Sequence, residues 1–497
     1  MPRSVTAPRS EVRIIWALFA VLAYFPLFID LDVLPLRMWD ESRLAVSAYE
    51  MLKNHQYLVP YFDGAPDMWS TKPPLLIWIQ ALLFKVLGPG ELALRLPSAI
   101  CAFVTGAMLV HVGIHWLKKP WWGLIAALIL YTSQGYVSMH VARSGDYDSM
   151  LVMFMTLALL CVYRYEQTRS KRAVVVMFIA ITLAILTKSI QGLLILPGCA
   201  VYLLITGALL DFLKERRTWF GLVGTVMVVG GYYLGRETLN PGYMEAVWNN
   251  DLGGRYGTVM EGHEGEWDYF IRQFLVTNFT NWYLLVPCGI ALGLAYKDIA
   301  IRRWTMLLTC AGASYLIVIS TAGTKCQWYD APLYPILASL CALPLHLVFE
   351  WLRTTRPFNL MVRGDVVPFT ALFLAFAMPY ASVVHHYYKV KDSPWEFEYY
   401  ESAHFLQDAM KGRRELKADV FCYDDYNGPL LFYAHVLTDQ GHPIRSVSKY
   451  DLVPGMRAMA SQPEVKEFIE ARYEQQVIET DGNVVIFQIA GPKHAQP

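Results

Sequence analysis

Long apolar blocks separated by short polar stretches run through the first four-fifths of this chain. The blocks fall at about 14–34, 95–116, 122–140, 149–165, 173–188, 190–210, 219–235, 282–297, 303–321, 330–350 and 367–386. Most reach roughly 17–23 residues, the length a helix needs to cross a bilayer. One further apolar segment, 74–88, starts at Pro73-Pro74 and carries Lys85, so it reads as a re-entrant or interfacial helix. The pattern predicts a polytopic α-helical membrane protein with about 11 (11–13) transmembrane helices and external juxtamembrane helices. After about residue 387 the pattern changes to that of a soluble domain. A helix is predicted over 397–412, a strand over Asp419–Tyr423, a helix over 463–473, and a hairpin over Gln475–Gln488 across Asp481-Gly482.

Charge placement orients the spans. Basic clusters stand at Lys118-Lys119, Arg164–Arg172, Lys214–Arg217, Lys297–Arg303 and Arg353–Arg363, and Arg3, Arg9 and Arg13 precede the first block. Lys and Arg mark cytoplasmic loops, so all of these are expected inside. The segment 35–94, the turn Arg143–Asp148, the Lys188 loop, the loop 236–281 and Gly323–Tyr329 then lie outside. Two domains are expected: 1–386 in the membrane, and 387–497 as a small α/β domain on the external side.

Composition agrees. In 497 residues 55% are hydrophobic and only 17% charged, against about a quarter charged in soluble domains. The net charge is +0, and no basic stripe with interleaved aromatics points to nucleic acid. Six of the eight cysteines (Cys101, Cys161, Cys199, Cys288, Cys310 and Cys341) sit in apolar blocks as small core side chains, and no zinc-type spacing occurs.

The candidate chemistry gathers on the external face. Asp40 and Glu41 open a stretch, Trp39–Asn54, with Leu44, Ala48 and Leu52 at helical spacing, which predicts an amphipathic helix along the outer membrane surface. The helix dipole favours both carboxylates there, and Arg43 lies one turn on from Asp40. Lys72, held before two prolines, suits a phosphate at headgroup level. Arg143, Asp146 and Asp148 mark another external boundary, Lys188 interrupts two apolar runs, and Lys325 lies near Tyr329. Carboxylates and cations on one face suit an anionic lipid phosphate and a hydroxyl that must lose a proton.

Taken in order, Trp39-Asp40-Glu41-Ser42-Arg43, Thr71-Lys72-Pro73-Pro74-Leu75, Arg95-Leu96-Pro97-Ser98, Asp148 with Leu151 and Phe154, Leu186-Thr187-Lys188, and Lys325 through Tyr329 to Pro335 form a series. The series resembles the lipid-phosphate-sugar glycosyltransferases with the GT-C fold, the group of the protein O-mannosyltransferases and the lipid A aminoarabinose transferase. The resemblance covers roughly residues 14–350. It implies a GT-C membrane domain and inverting transfer of a monosaccharide from a polyprenyl-phosphate carrier to a hydroxyl or phosphate of a lipid, glycan or protein.

By that resemblance Asp40 is the catalytic base, Glu41 supports it, and Asp148 is the second acidic residue. Lys72 would bind the donor phosphate, helped by Arg255 or Lys325. The aminoarabinose transferases place a metal-binding glutamate just before this lysine, where the present chain has Thr71. No metal is therefore expected to be required. Glu261, His263 and Glu264 are the residues that could still hold a divalent cation, and a solvated acidic loop explains them as well. The enzyme would be a monomer of the bacterial inner membrane with its active site facing the periplasm. The alternative is a transporter or flippase for an anionic lipid-linked substrate, with Lys188, Asp148 and Lys85 lining a path. It is disfavoured by the absence of an internal repeat and by the gathering of charge at one face.

Overall fold

The structure, a computed structural model, describes residues 8–138, 140–355 and 366–493. Arg3 and the Arg356 and Arg363 part of the last basic cluster lie outside the described residues. Among the described residues, eight helices are long and apolar enough to cross a membrane: Arg9–Phe28, Glu91–Trp116, Asp148–Thr168, Lys171–Leu193, Arg216–Leu239, Ile299–Thr321, Gln327–Thr354 and Val366–Tyr387. The other three predicted blocks form shorter helices, Pro120–Tyr131, Leu196–Ile205 and Leu285–Leu294, and 74–88 becomes Leu75–Leu87. The helix of block 122–140 stops early, at Tyr131, and Thr132 and Ser133 just beyond it turn their hydroxyls back onto Leu128 O (2.7 Å) and Ile129 O (2.6 Å).

The short helices dock by backbone contact. A Cβ on Gly198 would come within 2.5 Å of Ala311 Cα, and one on Gly289 within 2.1 Å of Leu340 O. Only glycine lets Leu196–Ile205 approach Ile299–Thr321, and Leu285–Leu294 approach Tyr334–Thr354, this closely. Elsewhere large apolar side chains face outward, among them Phe220, Met227, Phe373 and Met378. That pattern costs free energy in water and suits lipid, as expected of an integral membrane protein.

The chain divides into two compact units. The first comprises residues up to Asp30, Asp67–Leu76 and Arg95–Tyr388; the second comprises Leu31–Pro66, Ile77–Leu94 and the chain from Lys389 onward. One apolar core runs through the first unit, from Ile15 and Phe19 through Tyr131 and Leu151 to Leu307 and Tyr387.

The second unit joins the C-terminal segment to the stretch that carries Asp40. Its five-stranded sheet consists of β1 (Val420–Phe421), β2 (Arg445–Ser446), β3 (Arg457–Ala460), β4 (Tyr473–Asp481) and β5 (Val484–Pro492), in the order β2-β1-β3-β5-β4. Strands β1, β2 and β3 pair in parallel, whereas β5 is antiparallel to both β3 and β4. The β4–β5 hairpin turns at Gly482 with φ +57°, in keeping with the Asp-Gly signal. Helices Pro394–Met410 and Pro463–Arg472 lie close to their predicted ranges.

Two features of this unit differ from expectation. Helix Asp40–Asn54 does not lie along a surface, since ten of its fifteen residues are buried. It packs against a helix the sequence reading missed, Gly428–Asp439, capped by Asn427, whose Oδ1 accepts from Leu430 N at 2.9 Å. The Tyr49 ring meets Phe432 edge-on with centroids 6.2 Å apart and lies 5.7 Å from the His435 ring, and Tyr49 also bonds Asp439.

Candidate active site

In the first unit, Asp148 opens helix Asp148–Thr168 and Lys188 closes the next helix, Lys171–Lys188. The two helices form an antiparallel hairpin, so these ends meet on the same side. Each charge also sits at the terminus where the helix dipole favours it. Lys188 Nζ donates to Asp148 Oδ1 at 2.6 Å and to Oδ2 at 2.7 Å, with the side chains only 4% and 3% exposed. The ammonium also lies 5.6 Å from the Tyr329 ring centre.

Tyr329 extends the network. Its hydroxyl accepts from Arg255 Nη1 at 3.3 Å, and Arg255 Nη2 stands 3.7 Å from Glu261 Oε1. The loop around Arg255 is tied down by main-chain bonds: Gly323 N to Tyr256 O (2.9 Å), Thr324 N to Arg255 O (3.0 Å) and Lys325 N to His263 O (2.9 Å). Lys325 Nζ donates to Ala322 O at 2.7 Å. The His263 ring stands edge-on to Trp328, and Trp328 stacks on His140 at 3.8 Å. Glu261 and His263 therefore engage different partners, Arg255 and Trp328.

His140 links this loop to Asp146, with Nδ1 3.2 Å from Asp146 Oδ2, which also accepts from Ser144 Oγ at 2.8 Å. Ser98, from the Arg-Leu-Pro-Ser motif, holds the same turn. Its Oγ donates to Asp146 O (3.0 Å), and its carbonyl accepts from Ser149 Oγ (2.6 Å). Between the two aspartates, Tyr147 points to the Lys72 segment: Lys72 Nζ lies 5.3 Å from its ring, and its hydroxyl is 3.1 Å from Ser70 Oγ.

The Lys72 turn is anchored from below. Asp67 Oδ1 accepts from Trp69 N and Ser70 N at 3.0 Å each. Arg236, fully buried, donates to Asp67 O at 2.5 Å and to Tyr232 OH at 3.1 Å, and its guanidinium lies over the Tyr243 ring at 3.9 Å. Tyr243 OH in turn donates to Thr71 O at 2.6 Å. Buried polar atoms are normally paired, yet Thr71 Oγ1, Asp146 Oδ1 and Asp330 Oδ1 have no hydrogen-bond partner among the described residues.

The structure thus brings together Lys72, Asp146, Asp148, Lys188, Arg255, His263, Lys325 and Tyr329. Arg143 has a different setting. Its guanidinium donates to Pro26 O (3.1 Å) and Ile29 O (2.5 Å) at the end of helix Arg9–Phe28 and lies over Tyr387 at 4.2 Å. Burial there draws it down to about 10. His140, Tyr147, Arg236 and Tyr243 were missed by sequence reasoning. The signal for Arg236 was an arginine at the end of an apolar span, beside the aromatic pair Tyr232-Tyr233.

Asp40, Glu41 and Arg43 belong to the second unit. Asp40 and Glu41 occupy the first turn of their helix, as predicted. Asp40 is part-exposed, whereas Glu41 is 1% exposed and accepts from Arg37 N at 2.8 Å. The Arg43 guanidinium lies 4.3 Å from the Phe62 ring centre.

Three comparisons bear on this arrangement. The sequence profile of the dolichyl-phosphate-mannose-protein mannosyltransferase family matches residues 71–232, which hold Lys72, Asp148 and Lys188. An uncharacterized protein of Aquifex aeolicus is 30% identical over 191 residues, covering 38% of this chain and 37% of its own length. The undecaprenyl phosphate-alpha-4-amino-4-deoxy-L-arabinose arabinosyl transferase of Edwardsiella ictaluri is 22% identical over 347 residues, covering 66% of this chain and 58% of its own. The matched regions therefore span well under two thirds of either relative. The crystal structure of ArnT from Cupriavidus metallidurans bound to undecaprenyl phosphate superposes with a TM-score of 0.72 at 16% identity, covering 98% of this chain and 100% of that one. The chain therefore has the GT-C fold of that structure.

Proposed function

We propose that this protein is an inverting glycosyltransferase that moves a monosaccharide from a polyprenyl-phosphate carrier to an acceptor hydroxyl at the outer face of the bacterial inner membrane. The observation that carries the reading is the cation set at the external helix ends of the first unit. Lys188 is neutralised by Asp148, and Arg255 is shared between Tyr329 and Glu261. Lys72 faces the Tyr147 ring, and the Lys325 ammonium meets a carbonyl; among the described residues neither forms an ion pair. Cations presented without carboxylates suit a phosphate that gains negative charge as it leaves.

In this reading the acceptor oxygen attacks the anomeric carbon from the face opposite the phosphate. The C–O bond to the carrier breaks, and its electron pair leaves on the polyprenyl phosphate. Lys72, with Arg255 or Lys325, stabilises that oxyanion, and Asp40 takes the acceptor proton. Glu41, already bonded to Arg37 N, supports the helix start. The phosphate is an adequate leaving group without a Lewis acid, and the neutral Thr71 precedes Lys72, so no metal is required in this scheme. A monomer suffices, because one base in line with the anomeric carbon completes the reaction.

The test is mass spectrometry of envelope glycolipids and glycoproteins from cells with and without the protein. A product lighter by one sugar unit in the deleted strain is expected, and it should be restored by the wild-type chain but not by Asp40→Asn. Identical spectra would refute the transferase reading. Full restoration by a membrane-inserted Asp40→Asn protein would refute the base.

A further inference from the structure

We infer that Trp39 is a stacking platform for the pyranose ring of a bound sugar or glycolipid. The site is argued from the second unit alone; only its place beside the proposed base rests on the transferase reading above.

The Trp39 indole stacks on Tyr426, with centroids 5.0 Å apart and planes within 6°, yet the residue is 61% exposed. One face is therefore covered by tyrosine while the other is open. Tyr426 is stacked a second time, by Phe62 at 5.7 Å and 18°, and the Arg43 guanidinium lies over Phe62. The Tyr426 hydroxyl locks the assembly by donating to Trp39 O at 3.2 Å, and it lies 3.3 Å from Ser42 Oγ. Gly428 closes behind it, because a Cβ there would come within 2.5 Å of both Ser42 Oγ and Tyr426 Oη.

The backbone is held in a costly conformation to present this ring. Trp39 has φ 68° and ψ −119°, a region that bulky side chains avoid. Such strain persists only where the surroundings over-determine it, and it concentrates at ligand sites. A tryptophan that merely anchored the chain at the lipid interface would need neither the strain nor a ring fixed from behind. A flat, rigid, half-covered indole has the properties that sugar recognition uses. The C–H face of a pyranose is apolar and carries partial positive charge, so it packs on the electron-rich ring face. Hydroxyls at the sugar rim take polar hydrogen-bonding partners, and Asp40 follows Trp39 directly. This placement seats a sugar ring beside the proposed base.

The experiment is saturation-transfer NMR on the full chain in detergent micelles. The probes are methyl glucopyranoside, methyl N-acetylglucosaminide and, as the rival, a short serine-containing peptide. Neither sugar transfer nor a donor lipid is needed, so this site and the transferase reading fail separately. The expected result is saturation of the pyranose ring protons that falls about fivefold to tenfold in Trp39→Ala, falls less in Trp39→Phe, and exceeds that of the peptide. Trp39→Phe keeps the ring plane and reports on the site even if the alanine protein does not fold. A glycoside signal that is absent, or unchanged in both variants, would overturn the platform. A peptide signal lost in Trp39→Ala while the glycosides give none would assign the surface to a polypeptide instead.

Discussion

The buried Asp148–Lys188 pair can be separated into its structural and chemical parts. Both side chains are almost fully buried, and the ammonium contacts both carboxylate oxygens. Lys188→Met leaves a carboxylate without its counter-ion in a nearly water-free setting, which costs about 3–5 kcal/mol. Asp148→Asn strands the ammonium, and its loss is softened by the Tyr329 ring 5.6 Å away. Removing both charges in Asp148→Asn/Lys188→Met deletes the desolvation cost along with the attraction, so the double variant should recover most of the loss. The cycle should return a coupling of about 2–3 kcal/mol. The assay is reversible unfolding of the full chain in mixed micelles titrated with denaturing detergent. Additive losses, with coupling under about 0.5 kcal/mol, would show that the pair is not a closed electrostatic unit. The same proteins address chemistry: if Asp148 serves only to hold Lys188, the folded double variant keeps sugar transfer, whereas the proposed role predicts that it does not.

Three further outcomes are expected. Lys72→Ala should raise the donor-lipid KM about tenfold or more while leaving the acceptor KM within about twofold, as read from initial rates in proteoliposomes; an equal effect on both would refute a phosphate role. Gly198→Val should prevent helix Leu196–Ile205 from seating against Ala311 and abolish the folded protein, detected as loss of the monodisperse peak in detergent; a normal peak would refute the backbone contact. Burial alone would raise Asp392, but hydrogen bonds from His404 and Arg37 hold it below the usual carboxylate range. The stabilisation it gives is therefore present above about pH 4 and lost as the pH falls below that. Hydrogen-exchange protection over 394–410, corrected for the intrinsic rate at each pH, should fall in acid for the wild type, and Asp392→Asn should abolish part of that pH dependence. An unchanged profile would refute the assignment.

Much of the site was readable because charge in an apolar chain is confined to helix ends. Asp40, Lys72, Asp148 and Lys188 each stand where an apolar run starts or stops, so a one-dimensional pattern already places them at a boundary. What the pattern could not carry was closure between distant segments. Nothing in the sequence says that Tyr147 faces Lys72 or that Ser98 bonds Asp146 O, because those contacts depend on how the helices pack. The length of the apolar blocks misled for a related reason. Thr132 and Ser133 read as tolerable inside a span, but the helix ends at Tyr131, just before them. The burial of helix Asp40–Asn54 was hidden likewise, since its partner, Gly428–Asp439, follows almost four hundred residues later.

Two arginines show where composition stops being informative and geometry takes over. Arg143 and Arg236 both lie at ends of the apolar core, and sequence reasoning gave a binding role to the first and none to the second. In the structure both do the same work, donating to main-chain carbonyls: Arg143 to Pro26 and Ile29, Arg236 to Asp67. The guanidinium carries five donors in a rigid fork and stays charged when partly desolvated, which fits it to stitch segments together at a dry boundary. The lysine ammonium is a compact point charge on a flexible stem, suited to follow a phosphate whose charge grows as the bond breaks. On this division of labour the arginines build the frame, and the phosphate-facing cations are to be sought among the lysines. Lys72 and Lys325 fit that role, since among the described residues neither is matched with a carboxylate. Arg255 stands between the two classes, because it bonds the Tyr329 hydroxyl and also approaches Glu261. It should therefore respond to a phosphate only by giving up Glu261, which makes it the weaker of the two helpers proposed for Lys72.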